Sequence, residues 1–92
     1  MPIYTSQHTL GTATPTMIAG SHYMAQDVTI HNMTKSSNEY IYVGGPNVTI
    51  ANGIHIDPGG TLQLKLQPGD ALYAVSDPDG LEAGVFQSLQ GG

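Results

Sequence analysis

Four histidines, His8, His22, His31 and His55, are the side chains best suited by type to hold a metal or move a proton. Their spacing gives no such site. There is no H-x-H pair and no H-E-x-x-H, and no His stands at a ligand spacing from a carboxylate, as a local metal cluster would need. Surface or turn positions therefore suit them, although a trimer axis could still gather three copies of one His. Asp77-Pro78-Asp79-Gly80 has the alternating oxygens and Gly bend that begin a calcium loop. The twelfth position, where such a loop needs Glu, is Ser88. A plain turn is the better reading.

The five tyrosines, Tyr4, Tyr23, Tyr40, Tyr42 and Tyr73, are the remaining candidates. Aromatic faces suit the apolar side of a pyranose ring, and Tyr40 and Tyr42 share one face of a strand. Tyr also fills strands and subunit contacts, so core or interface use competes with sugar stacking. Gly44-Gly45-Pro46 precedes no helix and cannot cradle phosphate. No G-x-S-x-G elbow or paired catalytic acids occur, and Asp27 and Asp70 fall at strand edges. The expectation is a protein that is not an enzyme and takes no cofactor.

The elements that position these residues follow from the punctuation. Pro58, Pro68 and Pro78 fall ten residues apart, each beside Gly or Asp. Pro presets φ at the second turn position and Gly accepts positive φ at the third, so Asp57 to Gly60 and Gln67 to Asp70 predict type II turns. Asp77 to Gly80 predicts a type I turn closed by Gly. Between the first two turns, Leu62, Leu64 and Leu66 alternate with Thr61, Gln63 and Lys65, the period of a half-buried strand. Ala71 to Ser76 is apolar on both faces and predicts a central strand.

Asn52-Gly53 between Val48-Thr49-Ile50 and Ile54-His55-Ile56 predicts a hairpin. Glu39 to Val43, Asp27 to Met33 and Leu81 to Leu89 predict further strands, with weaker candidates at residues 3 to 10 and 16 to 24. No window carries a capped helical period, and about seven to nine short strands leave no room for crossover helices. The fold class is all-β, a small antiparallel β-sandwich or jelly-roll-like domain with little or no helix. Residues 1–10 form an N-terminal arm or first edge strand, 11–89 the sandwich domain and 90–92 a tail.

Bulk composition narrows the partners. At 92 residues the chain makes one core, and with no Cys it has no covalent staple. Charged residues are 10% of the chain, against about 25% in an average soluble protein, and Thr, Ser, Asn and Gln fill the gap. Two Lys, no Arg and a net charge of -5 argue against nucleic acid and membrane partners. The opening MPIYTSQHTL has neither a basic segment nor an apolar h-region, so no secretion signal is expected.

The string EYIYVGGPNVTIANGIHIDPGGTLQLKLQPGDALYAVS, residues 39–76, resembles a segment of small virion proteins of tailed bacteriophages. The matching residues are Val43-Gly44-Gly45, Val48-Thr49, Asn52-Gly53, Pro58-Gly59, Leu62 to Leu66, Gly69-Asp70 and Leu72-Tyr73-Ala74. Val28-Thr29-Ile30-His31-Asn32 is similar to the strand that precedes them. The resemblance covers about half the chain, and each of its elements is turn chemistry shared with other β proteins. It implies a structural role on the virion, in the host cytoplasm during assembly and on the capsid surface afterwards. Of the sites such a protein occupies, a compact chain suits a capsid decoration (cement) protein, a homotrimer that clamps the major capsid protein. The resemblance transfers no catalytic residue.

Sparse charge agrees with that role, because neutral polar groups are less costly to desolvate at an interface than unpaired ions. The interface residues expected are Ile3, Tyr4 and Leu10 on the arm, with Tyr40 and Tyr42. Deleting residues 1–10 is then expected to weaken capsid occupancy and spare the fold. The alternative is a tail or fibre module that recognises host glycan through the Tyr40/Tyr42 face.

Overall fold

The computed structural model describes residues 3–20 and 24–89; His22, Tyr23 and the 90–92 tail lie outside the described residues. Eight strands follow in chain order: β1 (Ile3–Thr9), β2 (Thr16–Gly20), β3 (Gln26–Asn32), β4 (Tyr40–Gly44), β5 (Ile54–Ile56), β6 (Thr61–Leu66), β7 (Ala71–Asp77) and β8 (Glu82–Leu89). They make two antiparallel sheets in the orders β1-β8-β3-β6 and β2-β7-β4-β5. First pairs with last, second with seventh, third with sixth and fourth with fifth. This is one long antiparallel ribbon wrapped across two layers, the jelly-roll arrangement.

Period-two patterning sets the register. On β3 the residues Gln26, Val28, Ile30 and Asn32 are buried, while Asp27 and His31 face out. On β8 Ala83, Val85, Gln87 and Leu89 are buried, and Phe86 faces out. Ile30, Ile41, Val28, Val43, Ala74 and Val85 fill the space between the layers. Each large aliphatic side chain removed from water in this way contributes about 1.5–3 kcal/mol. On β6, Leu66 is buried and Leu62 and Leu64 pack against the core while Thr61, Gln63 and Lys65 are exposed. The interior strand β7, between β2 and β4, carries buried Leu72, Ala74 and Ser76, and Val75 on its other side is buried as well.

The two Pro-Gly turns close as type II geometry requires. Gly59 and Gly69 have φ of 73° and 86°, Gly60 N donates to Asp57 O at 2.8 Å, and Asp70 N donates to Gln67 O at 3.0 Å. The Asp70 carboxylate reaches back to the Gln67 N–H at 3.0 Å.

Three expectations are corrected. Residues 48–50 are not a strand. Thr49 O accepts from both Asn52 N and Gly53 N, Thr49 N donates to the Asn52 side chain at 2.8 Å, and Ala51 N donates to Thr49 Oγ1 at 3.2 Å. These local side-chain bonds outcompete a ladder. The segment coils, Val48 is buried, and β5 pairs directly with β4. The 77–80 turn is not type I: the Asp77–Pro78 peptide is cis, Gly80 has φ 90°, and Gly80 N donates to Leu10 O rather than back across the turn.

The third correction concerns the expectation that residues 1–10 can be deleted without harm to the fold: residues 3–9 are the first edge strand, the second of the two readings given for this segment. Leu10 behind them is 2% exposed and belongs to the core. It is latched there: Leu10 N donates to Leu81 O at 2.8 Å, Ser76 N to Gly11 O at 3.0 Å, and Thr12 N to Asp79 Oδ1. Ser76 Oγ lies 2.7 Å from Pro78 O and 3.3 Å from Leu10 O. Removing residues 1–10 would therefore take out one strand and one core side chain together.

Candidate functional site

Two concave regions lie on opposite outer faces of the sandwich. The first is on the β1-β8-β3-β6 sheet. Outward-facing residues of β1, β8 and β3 are brought side by side by the register, with Thr5 opposite Phe86, Gln7 opposite Gly84, and Thr29 opposite Phe86. Together with His31 and Met33 they line a groove of about 560 Å³ with no Asp, Glu or Lys in its wall. Gly84 forms its floor. A Cβ there would stand 3.4 Å from Met33 Sδ, so the missing side chain leaves room for Met33 to lie across the strand. Phe86 is 43% exposed and Met33 38%, and Ile3 at the start of β1 is 58% exposed. His31 Nδ1 lies 3.1 Å from Gly60 O and 3.2 Å from Thr61 Oγ1, and these contacts hold the ring at the groove's edge.

The second region is on the β2-β7-β4-β5 sheet. Tyr40 and Tyr42 alternate with buried Ile41 and Val43 and face out together. Register places His55 of β5 opposite Tyr42, and Val75 of β7 opposite Tyr42 from the other side. The rings form a tilted cluster: Tyr40 to His55 is 5.8 Å between centroids at 84°, Tyr42 to His55 is 6.4 Å at 56°, and Tyr40 to Tyr42 is 6.5 Å at 49°. His55 Nε2 lies 3.3 Å from Asp57 Oδ1, and the four residues bound a hollow of about 210 Å³.

A buried asparagine ties this region to the rest of the molecule. Asn32, at the end of β3, donates through Nδ2 to Glu39 O at 2.9 Å and to Ile56 O at 3.1 Å. Its Oδ1 accepts from Thr34 N at 3.1 Å and Thr34 Oγ1 at 2.8 Å. All four hydrogen-bonding positions of the amide are thereby used. Ile56 stands between His55 and Asp57, so Asn32 fixes the short β5 strand that presents them.

Of the expected interface residues, Ile3 lies on the first face and Tyr40 and Tyr42 on the second; Tyr4 is exposed on the edge strand, and Leu10 is buried. The remaining described histidine, His8, stands 3.0 Å from Ser6. Among the described residues no three of His, Cys, Asp or Glu come together as a metal site. The sequence reading missed Phe86, Met33, Gly84 and Asp57 as site residues, and took His55 for a surface or turn histidine. Apart from the His55–Asp57 pair, which stands two residues apart in one segment, each depends on which strands become neighbours, a long-range fact with no local signal; alternation in β8 was the only hint for Phe86.

No model of a known protein family matches the chain, and no characterised protein matches it by sequence. Among solved structures the chain is similar to a protein of Bacillus endospore appendages, which form a family of disulfide-linked pili. The TM-score is 0.57 with 10% sequence identity, over 98% of this chain and 87% of that one. At that identity the likeness is one of fold: an all-β sandwich found in a structural protein.

Proposed function

We propose that the protein is a non-catalytic structural component of a phage virion, a capsid decoration protein that binds the major capsid protein as a homotrimer on the capsid surface. The observation that carries this reading is the groove on the β1-β8-β3-β6 sheet. It joins exposed Phe86 and Met33 to Thr5, Gln7 and Thr29 without a charged wall residue. An interface of this kind gains from apolar burial at its centre, exchanges water for neutral hydrogen bonds around it, and leaves no ion unpaired. The resemblance of residues 39–76 to phage virion proteins supports the same role.

The pilus protein of similar fold belongs to a disulfide-linked family, whereas this chain has no Cys. Association here rests on shape and non-covalent contact. The test is to mix purified protein with capsids assembled without it and to measure bound copies. Wild-type protein saturates the shell, sediments alone as a species three times the 9.6 kDa chain mass, and is excluded by a charge placed at Phe86. Absence of binding to shells refutes the reading.

A further inference from the structure

We infer that the hollow bounded by Tyr40, Tyr42, His55 and Asp57 binds a single neutral pyranose sugar. The site lies on the sheet opposite the groove assigned to the shell, and its assignment does not rest on that reading. A protein seated by the one face presents the other to the medium.

Three features select the ligand. The rings are inclined to one another at 49°, 56° and 84° around a shallow hollow that Asp57 also lines, so a ligand with one C–H-rich face and hydroxyls around its edge finds both aromatic carbon and polar atoms there. The volume of about 210 Å³ is below the roughly 300 Å³ at which drug-sized pockets begin, which suits one sugar ring. The polar equipment is anionic. Asp57 remains 70% exposed beside the 60% exposed His55 and has acceptor capacity for hydroxyl donors, and the register puts Asp77 opposite Tyr40. No Lys lines the hollow and the chain carries a net charge of -5. Sialic and uronic acids meet repulsion there, whereas neutral hexoses and N-acetylhexosamines meet hydrogen-bond acceptors.

Cross-strand pairing of Tyr42 with His55 would stabilise the sheet even without a ligand, so the test needs a readout that packing alone does not move. Isolated ¹⁵N-labelled protein is titrated with the methyl pyranosides of glucose, galactose and N-acetylglucosamine, and separately with sialic acid. The expected result is saturable shift changes centred on residues 40–42 and 55–57 with at least one neutral sugar, at a millimolar Kd, and none with sialic acid. Asp57→Asn and His55→Gln, both at exposed positions, keep the fold and weaken binding by about tenfold, the loss of one charge-assisted hydrogen bond. No shift with any neutral sugar, equal response to sialic acid, or binding unchanged in both variants overturns the inference. Because no capsid is present, none of these outcomes bears on shell binding.

Discussion

Replacing Asn32 with Ala removes the four hydrogen bonds that join the end of β3 to Thr34, Glu39 and Ile56. The Ile56 carbonyl lies in a buried environment and loses its amide partner, which costs about 1–3 kcal/mol. The bonds to Thr34 and Glu39 are part-buried, so water replaces them in part, and their net loss is about 0.5–1.5 kcal/mol each at most. The terms sum to about 2.5–7.5 kcal/mol, and with water replacing the part-buried bonds the total lies at the lower end, about 3 kcal/mol, a large share of the roughly 5–15 kcal/mol by which such domains are stable. In urea, with a slope of about 1–3 kcal/mol/M, the midpoint falls by about 1.5 M while the slope is unchanged. Asn32→Asp fares no better, since a carboxylate oxygen then faces the Glu39 and Ile56 carbonyls. A loss below about 1 kcal/mol for Asn32→Ala would refute the view that this amide holds β5 in place.

The other stability predictions use the same denaturation measurement. Leu10→Ala costs about 2–5 kcal/mol, and deletion of residues 1–10 abolishes the cooperative transition, because Leu10 is core and β1 pairs along β8. A truncated chain that still unfolds cooperatively would contradict this. Gly20, at φ 145°, is strained by any side chain, and a Cβ there would overlap Ala71 Cα and come 2.6 Å from Ala71 Cβ. Gly20→Ala is therefore more damaging than Gly59→Ala, where φ is 73° but the space is open, by about 1–3 kcal/mol. Gln87 Nε2 donates to Gln26 Oε1 at 2.7 Å, but the buried Gln26 Nε2 has no partner. Converting both to Met should leave stability equal or higher, since it removes an unsatisfied donor along with the bond; a loss comparable to that from Asn32→Ala would show that the pair matters more than its geometry implies.

Much of the sandwich was legible because several of its strands carry their own pattern. Leu62, Leu64 and Leu66 announce β6, and Val28 and Ile30 announce β3, through alternation that survives wherever one face is covered. The edge strands β1 and β2 do not. β1 is polar on both faces, and β2 carries a register shift between Met17 and Ala19 that buries Ile18 and Ala19 consecutively and breaks the period. Val48-Thr49-Ile50 has strand propensity and is still a coil, because the hydroxyl and amide of Thr49 and Asn52 bond the nearby backbone first. At Asp77 to Gly80, the partner that decides the turn is Leu10, some seventy residues away in sequence. The same limit applies to the sites. Tyr40 and Tyr42 were legible as one strand face; His55 joined them only through the β4–β5 register, and Phe86 met Met33 and Thr5 only through the wrap of the ribbon.

Shell occupancy of the Phe86→Lys variant tests the central claim most directly. The side chain is exposed in the free protein, so the fold should stand, and any change in occupancy reads the groove itself. An unpaired ammonium buried at the contact costs several kcal/mol, so occupancy on capsids assembled without the protein should fall about 100-fold or more. Wild-type occupancy by a correctly folded Phe86→Lys protein would contradict the claim that this groove meets the shell.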